Sequence, residues 1–133
     1  MSEEELKLPH QQVHLATKLN NGSGTVEELL GASMAVALAD ATKLPPAQYK
    51  NRNAILLDSK QPYVFARNLM VLRLANCPTI LLEPYIVNSK AVYPRLQSAL
   101  ADRTAGSMCA NDDILVEYAN AVVTGVLETY KRR

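Results

Sequence analysis

The sequence predicts an α/β domain, a small mixed sheet with helices packed on its faces. Three observations carry that expectation. Cys77-Pro-Thr-Ile-Leu-Leu-Glu83 is a short apolar run bounded by Pro78 and Pro84, led by β-branched Thr79 and Ile80, and it reads as a buried strand. Residues 25–42 place Leu29, Leu30, Met34, Val36, Ala37, Leu38 and Ala41 at helical spacing. From Asn111-Asp-Asp113 onward, Ile114, Leu115, Tyr118, Ala121, Val122, Val126 and Leu127 follow the i, i+3, i+4 rule of a final amphipathic helix.

In chain order, Val13–Leu19 alternates loosely and predicts a strand, closed by the turn cluster Asn20-Asn-Gly-Ser-Gly24. Thr25, with Glu28 three residues on, fits a capping box that opens the first helix, and Pro45-Pro46 ends it. Ala54-Ile-Leu-Leu57, bounded by Asp58-Ser-Lys60, predicts an extended segment. Tyr63–Ala75 carries charges only at Arg67 and Arg73 and is expected to be largely buried. After the Glu83 strand, Ser89 can cap a helix through Tyr93, Leu96 and Leu100 with Pro94 in its first turn. Thr104-Ala-Gly-Ser107 is a loop. No repeat or low-complexity linker divides the 133 residues, so a single domain with one core is expected.

Composition excludes several classes of partner. Charged residues are 20% of the chain at a net charge of +1, and the basic residues are scattered apart from Lys131-Arg132-Arg133 at a helix end, where cations complement the dipole. That is not a nucleic-acid footprint. The longest uncharged run, Leu29–Ala39, is too short to span a bilayer. The start, Met1-Ser-Glu-Glu-Glu-Leu6, lacks the apolar stretch of a secretory signal, so none is expected in this chain. Cys77 and Cys109 lack C-x-x-C spacing; two buried or free thiols are the default expectation, with a disulfide between them the alternative, and Cys77, ahead of Pro78 in an apolar stretch, reads as an inert buried thiol.

The chemistry concentrates at Glu83. Ligands of open α/β sheets bind at the carboxyl ends of the strands, so an acid delivered there by an apolar strand is a candidate catalytic group. A second arrangement is His10-Gln-Gln-Val-His14, whose i, i+4 spacing puts both imidazoles on one helix face. In a strand the two would lie about 13 Å apart, at roughly 3.3 Å per residue, and could not share an ion. The residue that would serve as base in a helical zinc motif is Gln11, which favours a structural role for the pair. Gly22-Ser-Gly24 lacks the rest of a phosphate loop, and neither Ser23 nor Ser33 lies in a nucleophile elbow.

Three consecutive segments, Leu69-Met-Val-Leu-Arg73, Cys77–Glu83 and Tyr85-Ile-Val-Asn88, resemble the carboxyl-terminal half of the zinc-dependent N-acetylmuramoyl-L-alanine amidases. Those cell-wall hydrolases carry a Val-Leu-Arg segment, a Pro-led strand ending in the catalytic Glu, an apolar pair and an Asn. Upstream, His14-Leu-Ala-Thr-Lys-Leu-Asn-Asn-Gly-Ser-Gly-Thr25 is similar to the family's strand with a metal-ligand His. The resemblance implies Glu83 as general base, Arg73 and Asn88 as substrate-positioning groups, His14 as a zinc ligand, and peptidoglycan fragments as substrate. Family members place two earlier ligands, a His in a Gly-His-Gly segment and a Glu, in an amino-terminal portion. The resemblance therefore also implies a domain incomplete at its amino terminus, with a sheet edge left open and self-association to cover it. The alternatives are a non-catalytic α/β module that associates through its sheet edge or its helices, and a helical His-x-x-x-His metalloprotein.

Overall fold

A computed structural model describes residues 9, 16–17, 20–49, 54–67, 69–107 and 113–131. Among the described residues the architecture is helix-rich with one two-stranded antiparallel sheet, its elements α1 (Ser23–Thr42), β1 (Ala54–Leu56), β2 (Phe65–Arg67), α2 (Met70–Leu74), α3 (Tyr93–Thr104) and α4 (Ile114–Lys131). No helix among the described residues is long and apolar enough to cross a membrane.

Helix α1 starts two residues before the expected capping box. Gly22 takes φ 74°, a left-handed conformation favoured by glycine, and Asn21 Oδ1 accepts the Ser23 N–H at 2.9 Å. The side chain that satisfies the open helix end is therefore Asn21. At the other end Lys43, with φ 53°, donates its N–H to the Ala39 carbonyl, and the two prolines follow.

Helices α1 and α4 pack along a seam of small residues. Met34 and Ala37 of α1 are buried, as are Ala121, Gly125 and Thr129 of α4. A Cβ on Gly125 would lie 2.6 Å from Met34 Sδ and 3.0 Å from Met34 Cα, so glycine is what lets the backbones approach. Val36 and Leu127, expected on the buried faces, are exposed. The seam is set by residue size as well as by polarity.

A second cluster joins α3 to the start of α4: Val92, Ala99 and Ile114 are buried, with Leu44, Tyr85, Leu96 and Leu115 against them. Pro94 occupies the first turn of α3, and Ser89 accepts the Ala91 N–H just ahead of it. Asp113 caps α4, its Oδ1 accepting the N–H groups of Leu115 at 2.7 Å and Val116 at 3.4 Å. Its other oxygen pairs with Arg103 of α3. The Arg103 guanidinium, with the capping N–H groups, holds the Asp113 carboxyl below its usual range against the opposing effect of burial. A depressed folded-state pKa adds stability that is present above the unfolded value of about 3.9 and is lost as pH falls through the folded one. Thermal melts of the protein and Asp113→Asn should therefore differ most near neutral pH and converge in acid. Asn retains the cap, so a gap independent of pH would show that the charge is not what stabilises.

Of the strand predicted at Val13–Leu19 only Ala16 and Thr17 are among the described residues, and both are helical, with the Asn21 N–H donating to the Thr17 carbonyl at 3.0 Å in the i→i−4 pattern. Nor is Cys77–Glu83 a strand; residues 78–86 belong to no helix or strand. Pro78 and Pro84 have no N–H to give a ladder, and the Thr79 N–H is taken by the Glu27 carboxylate at 2.9 Å. The described sheet is the hairpin alone, with Ala54 opposite Arg67, Ile55 opposite Ala66 and Leu56 opposite Phe65. Asp58 shapes its connection by accepting the Lys60 N–H at 2.8 Å. Part of Tyr63–Ala75 is exposed rather than buried, with Met70, Val71 and Leu74 of the short α2 facing outward.

Candidate functional site

Glu83 lines a cavity of about 850 Å³ between α1, the hairpin and residues 79–89. Leu38, Leu57, Phe65 and Ile80 contribute apolar wall. The segment that brings Glu83 there is tied on both sides. Ahead of it, Thr79 is held by Glu27 of α1. Behind it, the Tyr85 hydroxyl donates to Glu117 Oε1 at 2.9 Å with the Ile114 carbonyl at 3.1 Å, and Arg95 of α3 donates to Glu117 Oε2 at 2.7 Å. Burial pushes the Tyr85 phenol well above its ordinary range, and the Glu117 carboxylate pushes the same way. Tyr85 thus stays a hydrogen-bond donor throughout the neutral range.

At the cavity, Glu83 Oε2 accepts the Tyr49 hydroxyl at 2.8 Å and Arg67 Nη1 at 3.1 Å. The same Nη1 lies 3.0 Å from the Tyr49 oxygen, and the guanidinium carbon stacks 4.7 Å from the Tyr49 ring centroid. Phe65 meets that ring edge-on at 5.0 Å. Burial raises the Tyr49 pKa, as does its hydrogen bond to Glu83, while Arg67 lowers it. Glu83 Oε1 has no hydrogen-bond partner among the described residues. The result is a carboxylate with one oxygen engaged and one open.

Comparison with known proteins gives no matching family model, no matching curated protein and no matching solved structure. Geometry and sequence alone therefore bear on the site.

Among the other expected site residues, Asn88 is exposed in the turn closed by the Ser89 N–H to the Ile86 carbonyl at 2.9 Å, and it does not line the cavity. A turn residue is what the structure makes of it. Arg73 lies in α2, with its side chain outside the described residues. His14, His10 and Gln11 also lie outside them, as does Cys109. Cys77 is exposed, against the expectation of a buried thiol. Among the described residues no three His, Cys, Asp or Glu side chains converge as a metal site. The described neighbours of Glu83 do not make a zinc donor set, because one is a guanidinium and the other a protonated phenol. What they supply is an oriented carboxylate.

Sequence reasoning missed Tyr49, Arg67 and Glu27 as partners of this segment. Arg67 did leave a signal, as a lone charge in the apolar run from Tyr63 to Leu72 that would need a counter-charge once partly buried. Tyr49 left none.

Proposed function

We propose that this chain is an N-acetylmuramoyl-L-alanine amidase-like hydrolase that cleaves the amide between the lactyl group and L-alanine of peptidoglycan, with Glu83 as general base. One observation carries the reading: the acid picked out by the order of the segments at 69–88 lies on a cavity with one carboxylate oxygen open.

In this chemistry water attacks the amide carbonyl carbon while Glu83 takes its proton. The proton then passes to the leaving nitrogen as the C–N bond breaks, giving a muramoyl carboxylic acid and the free amine of L-alanine. Zinc enters only through the family resemblance, which gives His14 as a ligand, and no step here runs through it, since the described neighbours of Glu83 supply no zinc donors. The protein, incubated with an N-acetylmuramoyl-L-alanyl peptide with added zinc and separately with chelator, should release new α-amine in the first case. Absence of amine in both would end the amidase reading.

A second reading, a non-catalytic module that associates with itself, is favoured by α2, where Met70, Val71 and Leu74 are 65%, 58% and 52% exposed. Under it, sedimentation velocity should show a dimer that grows with concentration and is lost in Met70→Glu. A monomer at every concentration would exclude it.

A further inference from the structure

We infer that Tyr49 and Arg67 are positioning residues that differentiate the two oxygens of Glu83, holding Oε2 as the anchor and leaving Oε1 as the oxygen that takes the water proton. This rests on the general-base reading of Glu83 and adds to it the residues that aim the base.

A free glutamate is a poor positional device, because rotation about its last side-chain bond is broad and lets the plane of the carboxylate wander. Here that rotation is opposed. Both donors converge on Oε2, the Tyr49 hydroxyl at 2.8 Å and Arg67 Nη1 at 3.1 Å, and two donors occupy the lone pairs one carboxylate oxygen offers. Protonation at Oε2 would have to displace one of them. Oε1, with no partner among the described residues, keeps both lone pairs for a new proton.

The anchor is itself supported. Arg67 comes from β2, where Ala54 pairs opposite it, and its guanidinium lies on the Tyr49 ring. Tyr49 is braced by Phe65, two residues before Arg67 on the same strand. Its phenol is kept protonated by burial and by Glu83, so it donates at any pH where amide hydrolysis would be assayed. The three side chains thus form a closed triangle, since Nη1 also reaches the Tyr49 oxygen. Removing either donor leaves a single tether, so the carboxylate plane turns more widely about its last bond and the open oxygen spends less time aimed at the water, without removal of the base.

The experiment compares Tyr49→Phe, Arg67→Lys, Arg67→Gln and Glu83→Gln on the N-acetylmuramoyl-L-alanyl peptide, together with the tyrosine titration of protein labelled with ¹³C at tyrosine Cζ. Tyr49→Phe and Arg67→Gln should lower kcat by about 10- to 100-fold with KM unchanged, the scale of a small misplacement of a reacting group. Arg67→Lys should recover part of the loss. The Tyr49 resonance, assigned by its disappearance in Tyr49→Phe, should titrate above the ordinary tyrosine value of about 10 and move down toward it in Glu83→Gln. A Tyr49 titration indifferent to Glu83→Gln overturns the inference whatever the activities. Wild-type kcat in Tyr49→Phe and Arg67→Lys, with Glu83→Gln inactive, overturns it while leaving Glu83 as base. An inactive wild-type protein removes the general-base reading and this inference with it.

Discussion

Glu83→Gln is expected to lower kcat for amide hydrolysis by about 10²- to 10⁴-fold, the usual contribution of a positioned general base, while the protein stays folded. The two halves of that expectation have separate causes. Catalysis falls because an amide oxygen cannot take a proton from water at neutral pH. Folding is spared because the Glu83 side chain is 52% exposed, and a Gln oxygen can still accept from Tyr49 and Arg67. An ion pair in this setting contributes only about 0–1 kcal/mol, so little stability goes with the charge. Activity should be read by release of α-amine, and folding by a thermal melt of the same sample. Wild-type kcat in this variant would remove Glu83 from the chemistry.

Gly125→Val should have the largest effect on stability. The Cβ it introduces would stand 2.6 Å from Met34 Sδ and 3.0 Å from Met34 Cα. The sulfur is the end of a flexible side chain and can move. The α carbon belongs to the backbone of α1, so relief requires the helices to separate. Forcing extra carbon into a packed seam costs about 1–3 kcal/mol, and the branched side chain places this variant at the upper end. For a domain of this size that corresponds to a melting temperature lower by roughly 6–12 °C. Gly125→Ala should lose less, because alanine regains about 1 kcal/mol of helix propensity. Combining Gly125→Val with Met34→Ala should restore little, since the backbone atom remains in the way. A melting temperature equal to that of the unsubstituted protein would mean that the helices do not meet at this glycine.

The helices were legible because each announces itself locally. Residues 25–42 and 114–127 carry their apolar side chains at a helical period, and Pro94 and Asp113 mark two starts. The extended segment at Ala54–Leu57 was legible for the same reason. The segment ending at Glu83 was misread because a short apolar run states only that it is to be partly covered, not by what. A strand needs a neighbour with free N–H and C=O groups, whereas this segment meets side chains from α1 and α4. The partners of Glu83 lie 34 and 16 residues away in sequence at Tyr49 and Arg67, beyond the reach of any local period. Met34 against Gly125 is a further case: a sequence gives the volume of each residue but not which pair will touch.

That the Glu83 segment is held by side chains rather than by a ladder separates two quantities that a β-strand would have coupled. Detaching residues 79–85 would sacrifice the bonds to Glu27, Tyr49, Arg67 and Glu117, and would leave the α1–α4 seam closed. The acid can therefore leave its station through a partial opening that does not require global unfolding. Exchange of the Thr79 amide with deuterated solvent, rather than the melting temperature, is the measure of how often the Glu83 carboxylate is in place.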